Sequence, residues 1–241
     1  MKQKTTMFLL AAVFATALAV VFMSGQVALA GGQGSKQMEE ECTDSGKSIP
    51  LKEAKLNIEH NAKDNDTGFQ GFLDSGGWSE ITVTGPDGEV LEFEGEGKLG
   101  QLGLTELFFE TVEPENADVP IVDVLETLPA GKYKFEGCAI ENGEIQGRTT
   151  GTALLTHDIP KGPELLAPEE DAEVSADEDL LISWEPVDET IEGDNIKIIA
   201  YQLIIEKDVP PDQHMIGKFG LSMYLPPDVT EMRIPAEFLE P

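Results

Sequence analysis

The chain has 241 residues, 46 of them acidic and 16 basic, for a formal net charge of −30. A surface this acidic repels nucleic-acid phosphates and anionic lipid heads, so it argues against a nucleic-acid partner and favours cations, basic partners or a salty medium that screens self-repulsion. Hydrophobic residues make up 40% and fall in alternating runs, which excludes a disordered chain, and His60, His157 and His214 lie in separate segments that offer no zinc spacing.

The N-terminus has the order of a secretory signal. Lys2 and Lys4 give a positive start, an apolar run follows from Met7 to Met23 relieved only by Thr16, and Ser24-Gly25 ends it. Ala28-Leu29-Ala30 sets small residues where a signal peptidase accommodates them, so residues 1–30 are expected to be removed before Gly31. The alternative, an uncleaved anchor, needs about 17 residues to span a bilayer, and this run stands at that limit. Cleavage removes two lysines and no acid, so the mature charge is −32. No second apolar run follows. The expectation is a mature chain with no integral membrane segment, secreted or periplasmic.

Residues 31–48 are polar and without an apolar period, the mark of a flexible lead-in. Leu56 and Ile58 alternate with Asn57 and Glu59 and predict a strand, followed by a turn cluster from Asn61 to Gly68. Ile81 and Val83 predict another, turned back at Gly85-Pro86-Asp87-Gly88 into Val90, Leu91 and Phe93. Leu104 to Val112 is β-prone, though a helix is an alternative there. After Pro120, the residues Ile121, Val124, Leu125 and Leu128 stand at helical spacing, stopped by Pro129 and Gly131. Tyr133 and Phe135 open a strand that Asn142-Gly143 turns back into a partner from about Ile145 to His157, because that dipeptide accepts the two positive φ values of a type I′ turn. Strands at this spacing, with one short inserted helix, predict a β-sandwich over residues 49–161.

Beyond Lys161-Gly162-Pro163, one strand face is marked by Leu180, Ile182 and Trp184, a second by Tyr201, Leu203 and Ile205, and a third by Met232 and Ile234. The entry Leu165-Leu166-Ala167-Pro168, the tryptophan in Ile182-Ser183-Trp184-Glu185-Pro186, Tyr201-Gln202-Leu203, and the segment from Thr230 to Pro241 resemble a fibronectin type III domain. The resemblance implies an interaction or spacer module of two sheets with Greek-key connections and no active site. The expected fold is therefore all-β, two immunoglobulin-like or fibronectin type III-like sandwiches in tandem. Residues 162–241 read as incomplete at the C-terminus, since such a sandwich needs about 100 residues. The stretch is expected to be either a fragment of a longer chain or a short form that borrows a strand from a partner. The strand of Tyr201, Leu203 and Ile205 should then have an open edge, with Trp184 and Tyr201 partly uncovered.

Candidate functional residues are few. No Gly-x-Ser-x-Gly marks a hydrolase nucleophile, and Gly95, Gly97 and Gly100 sit among glutamates that would repel a phosphate. Asn61, Asp64 and Asp66, with Asn65, put several oxygens on one tight loop, as calcium needs; the competing reading is an Asx turn in which these side chains bond their own backbone. Calcium would be the one cofactor. Cys42 and Cys138 are the only cysteines, and export would expose them to an oxidising compartment, so a disulfide between them is expected, the alternative being free or intermolecular thiols. Alternation puts Cys138 on the polar face with Lys134 and Glu136. Trp78, between Gly77 and Ser79, reads as a loop residue free to stack on a sugar, with Phe69 a second such aromatic. The leading expectation is a non-catalytic interaction or structural protein, with a protein or polysaccharide partner. A carbohydrate-binding or calcium-dependent adhesion module is the alternative, and an enzyme with an unrecognised carboxylate site comes last.

Overall fold

The computed structural model describes residues 7–12, 42, 47–207, 210, 213–214 and 220–239. Strands account for 53% and helices for 10%, so the fold is all-β. The described residues divide into two compact units, one of residues 42, 47–60 and 64–157, the other of residues 7–12, 61–63 and 158–239.

The strands are numbered in chain order from β1, Met7–Ala12, which belongs to the second unit. The first unit is organised by one long strand. β2 (Ser48–Pro50) and β3 (Glu53–Asn61) precede β4, Asp66–Gly85, which runs for 20 residues. Then come β5 (Gly88–Glu94), the helix α1 (Gly97–Leu102), β6 (Leu104–Glu110), α2 (Ile121–Thr127), β7 (Gly131–Glu141) and β8 (Glu144–Leu155). The first half of β4 pairs with β6, from Gln70 opposite Glu110 to Asp74 opposite Glu106. Its second half is flanked on both sides, Ile81 lying opposite Phe93 of β5 and opposite Gly137 of β7. The order β2-β8-β7-β4-β3 completes the sheet, with β2 parallel to β8. Because β4 serves both halves, Phe69, Leu73, Trp78, Ile81 and Val83 all enter one core with Leu56, Val124, Tyr133, Phe135 and Leu155.

Local chemistry accounts for the turns. Asn142 and Gly143 have φ of 53° and 80°, as a type I′ hairpin demands, and Pro120 stands at the N-cap of α2 with φ −51°. The stretch from Gly76 to Ser79 departs from the expected loop. Gly76 and Gly77 mask its strand character, yet pairing on both sides keeps it extended. Trp78 is consequently 1% exposed. Helix α1 was not anticipated.

The second unit contains two three-stranded antiparallel sheets. One has the order β13 (Glu231–Ile234), β10 (Leu180–Trp184), β9 (Leu165–Ala167); the other has β1, β11 (Tyr201–Lys207), β12 (Gly220–Leu225). The alternating apolar residues of β10 and β11 meet in one core, Leu180, Ile182 and Trp184 with Tyr201, Leu203, Ile205 and Ile234. Trp184 meets Tyr201 edge-on at 5.3 Å, and the Val187 N–H donates to the Tyr201 hydroxyl at 2.9 Å. This arrangement keeps the amphipathic end of the tyrosine paired while its ring is buried.

Two expectations are corrected here. The edge of β11 is not open, because Met7–Ala12 pairs along it over six residues. Trp184 and Tyr201 are 4% and 2% exposed, so neither is uncovered. Residues 236–239 form a short helix, α3 (Ala236–Leu239); residues 240–241 lie outside the described residues. No helix among the described residues is long and apolar enough to cross a membrane.

The β4–β7 contact yields a test. A Cβ placed on Gly137 would lie 1.8 Å from the Glu80 carbonyl oxygen, which is backbone and cannot swing away, whereas one on Gly76 meets nothing within 4 Å. Gly137→Ala is expected to destabilise the protein by about 2 kcal/mol and lower Tm by about 6 °C. Gly76→Ala should leave stability within about 0.5 kcal/mol. Thermal unfolding of the two variants side by side checks the pairing.

Candidate functional site

Three glutamates converge where β3, β4 and β6 end together. Gln70 of β4 lies opposite Glu110 of β6 in register, and on its other side its amide donates to Glu59 of β3. Glu113 follows β6 and reaches the same place because residue 68 is glycine: a Cβ there would lie 2.8 Å from Glu113 Cγ and 2.9 Å from Thr111 Oγ1. One carboxylate oxygen from each of Glu59, Glu110 and Glu113 lies within 4.8 Å of the other two.

Like charges so close cannot all ionise freely. Burial, then the charge of Glu113 and a hydrogen bond shared with it, then Glu110, push the Glu59 carboxyl up to about 7. Below about pH 7 Glu59 therefore increasingly holds a proton, which it donates within the cluster. This is the one group of three or more acidic, histidine or cysteine ligands among the described residues, and it contains neither Asp64 nor Asp66. It was invisible to sequence reading because Glu59 lies more than fifty residues from Glu110 and Glu113, among 46 acids. The alternation that places Glu59 on one face of its strand is legible; which strand stands beside it is not.

The residues of the expected calcium loop lie in the connection between β3 and β4. Asn61 ends β3, Asp64 is exposed, Asn65 takes φ 55°, and Asp66 opens β4. The His60 ring donates through Nδ1 to the Asp66 carbonyl at 3.1 Å, with Thr67 Oγ1 at 2.9 Å. Asn116 closes the other side, its backbone N–H donating to the Asn65 carbonyl at 2.8 Å and its side-chain amide to Asn65 Oδ1 at 3.3 Å. Asn tolerates the left-handed conformation that this tight connection needs.

The aromatic candidates are corrected. Trp78 and Phe69 are 1% and 4% exposed and belong to the core of the first unit, so neither offers a face to a sugar. Cys42 and Cys138 are joined by a disulfide, their Cα atoms 5.6 Å apart and 96 residues distant in sequence. Cys138 shares the strand face of exposed Lys134, yet it is 1% exposed, and Cys42 is 4% exposed.

The glutamate cluster makes stability depend on pH in a defined direction. Unfolded, Glu59 titrates near its ordinary value of 4.5; folded, it titrates near 7. Between those values the folded state holds a proton the unfolded state has lost. This contribution is therefore complete below about pH 4.5, declines as pH rises and is gone above about 7. Glu113→Gln removes the stronger of the two like charges acting on Glu59, so its Tm should fall less than wild type from pH 5 to pH 8 and should exceed wild type at pH 8. Parallel pH–Tm curves for the two proteins would contradict the cluster.

No known family model matches the chain, and no curated protein matches it in sequence.

Proposed function

We propose that the chain is an exported, non-catalytic interaction protein of the cell surface or periplasm, built of two β-sandwich modules in tandem. The second module is read as fibronectin type III-like. The observation that carries this reading is the arrangement of the second unit, in which β9, β10 and β13 form one sheet, β11 and β12 belong to another, and Trp184 and Tyr201 pack between them. That arrangement joins the motif resemblance around Ile182-Ser183-Trp184-Glu185-Pro186 to a packed two-layer core. The acidic surface, spread as 26 acids over residues 31–160 and 20 over residues 161–241, supports a solvated exterior over a charged tail.

Export is supported by the order of charge, apolar run and small residues in the first thirty positions, and by the disulfide, which belongs to an oxidising compartment. With Trp78 and Phe69 in the core, the carbohydrate alternative loses the aromatics it relied on.

Expression of the full gene in a bacterial host with an envelope tests the reading. Mass spectrometry should find a chain beginning at Gly31, released with the soluble envelope fraction, and thiol titration of the native product should find no reactive cysteine. A product that keeps residues 1–30 and sediments with membranes would overturn it. Cys138→Ser should then cost up to about 5 kcal/mol, the chain-entropy figure for a loop of this length, read as a lower denaturant midpoint.

A further inference from the structure

We propose that in the chain cleaved before Gly31 the edge of β11 is a docking site for an uncharged apolar strand donated by another polypeptide. The inference rests on the export reading, because cleavage removes the strand that occupies this edge.

The edge has a defined capacity. β1 pairs antiparallel with β11 without a register shift, from Met7 opposite Lys207 to Ala12 opposite Gln202. The other side of β11 is filled by β12 in an equally regular ladder, from Tyr201 opposite Leu225 to Glu206 opposite Gly220. β11 therefore has the character of a central strand. Its first five residues, Tyr-Gln-Leu-Ile-Ile, carry no charge, no proline and no bulge, the devices by which edge strands ordinarily resist pairing. Loss of β1 leaves a row of main-chain donors and acceptors beside Tyr201, Leu203 and Ile205, which are 2–3% exposed in the full chain.

The occupant's chemistry can be read from the strand now in place. Met-Phe-Leu-Leu-Ala-Ala has no charged or β-breaking residue, and Leu9 and Ala11 stand opposite Ile205 and Leu203 in register. Strand addition takes its affinity from main-chain hydrogen bonds and its selectivity from alternate side-chain positions. A fitting donor is an extended segment of about six residues, uncharged, with apolar residues at every second position. A second copy of this chain is disfavoured, because each copy carries −32 after cleavage and the bodies repel. A short neutral strand from a less acidic protein meets no such barrier.

The test uses mature protein beginning at Gly31 and a fluorescent peptide of residues 2–13, which retains Lys2 and Lys4 for solubility. Fluorescence anisotropy should show saturable binding of one peptide per chain. Leu9→Pro with Leu10→Pro in the peptide should weaken binding about tenfold or more: successive N–H groups alternate in direction, so one of two adjacent prolines deletes a donor to β11. Both peptides keep their lysines, so attraction to the acidic surface is common to them. A photo-crosslinker replacing Leu10 should label the segment 201–207. Equal affinity of the two peptides, or labelling elsewhere, overturns the inference. A mature chain that sediments as a dimer and dissociates on adding peptide overturns it in favour of a second copy. A cellular product that retains residues 1–30 overturns the export reading and makes β1 the edge's own strand; a mature chain that ignores the peptide overturns the docking inference alone.

Discussion

Every extended backbone must find partners for its N–H and C=O groups, and that demand governs both units of this protein. In the first unit it is met by β4, which pairs with β3, β5, β6 and β7. Twenty residues of one strand thereby hold both halves of the sheet and carry five side chains into a common core. In the second unit the demand falls on β11, whose two sides are taken by β12 and by a strand from the extreme N-terminus. One unit satisfies its strands from within its own contiguous sequence; the other recruits an apolar segment nearly two hundred residues away.

The candidate site in the first unit is a product of the same pairing. Gln70 lies between Glu59 and Glu110 because β4 lies between β3 and β6, and Gly68 lets the chain after β6 fold back so that Glu113 joins them. Partial burial of Glu59, with the charges of Glu113 and Glu110 facing it, raises its affinity for a proton. The cluster is thus a small electrostatic strain held by hydrogen-bonded strands, relieved by one proton near neutrality. In the neighbouring connection between β3 and β4, the Asp66 carbonyl and the Asn65 side chain accept from His60 and Asn116.

Much of the fold could be read from alternation and turn chemistry. Leu56 and Ile58 fall in β3, the Gly85–Gly88 and Asn142-Gly143 turns join the strands expected of them, and Leu180, Ile182 and Trp184 share a buried face. What escaped has physical reasons. Around Gly71, Gly76 and Gly77 strand propensity is low, and only tertiary pairing keeps β4 extended, so Trp78 looked like a loop residue and is core. β12 alternates Leu221, Met223 and Leu225 with polar residues and was legible but not read. The glutamate cluster and the occupation of the β11 edge depend on which strands become neighbours, and a single sequence carries that information only through long-range contacts.

β11 depends on the N-terminal strand for half of its backbone partners, and a chain beginning at Gly31 lacks that strand. Residue-resolved hydrogen exchange, comparing the chain from Met1 with the chain from Gly31, tests this most directly. Between residues 201 and 207 alternate amides, those directed at β12, should be protected in both forms, and the intervening ones only in the longer form. Identical exchange across this strand in the two forms would contradict it.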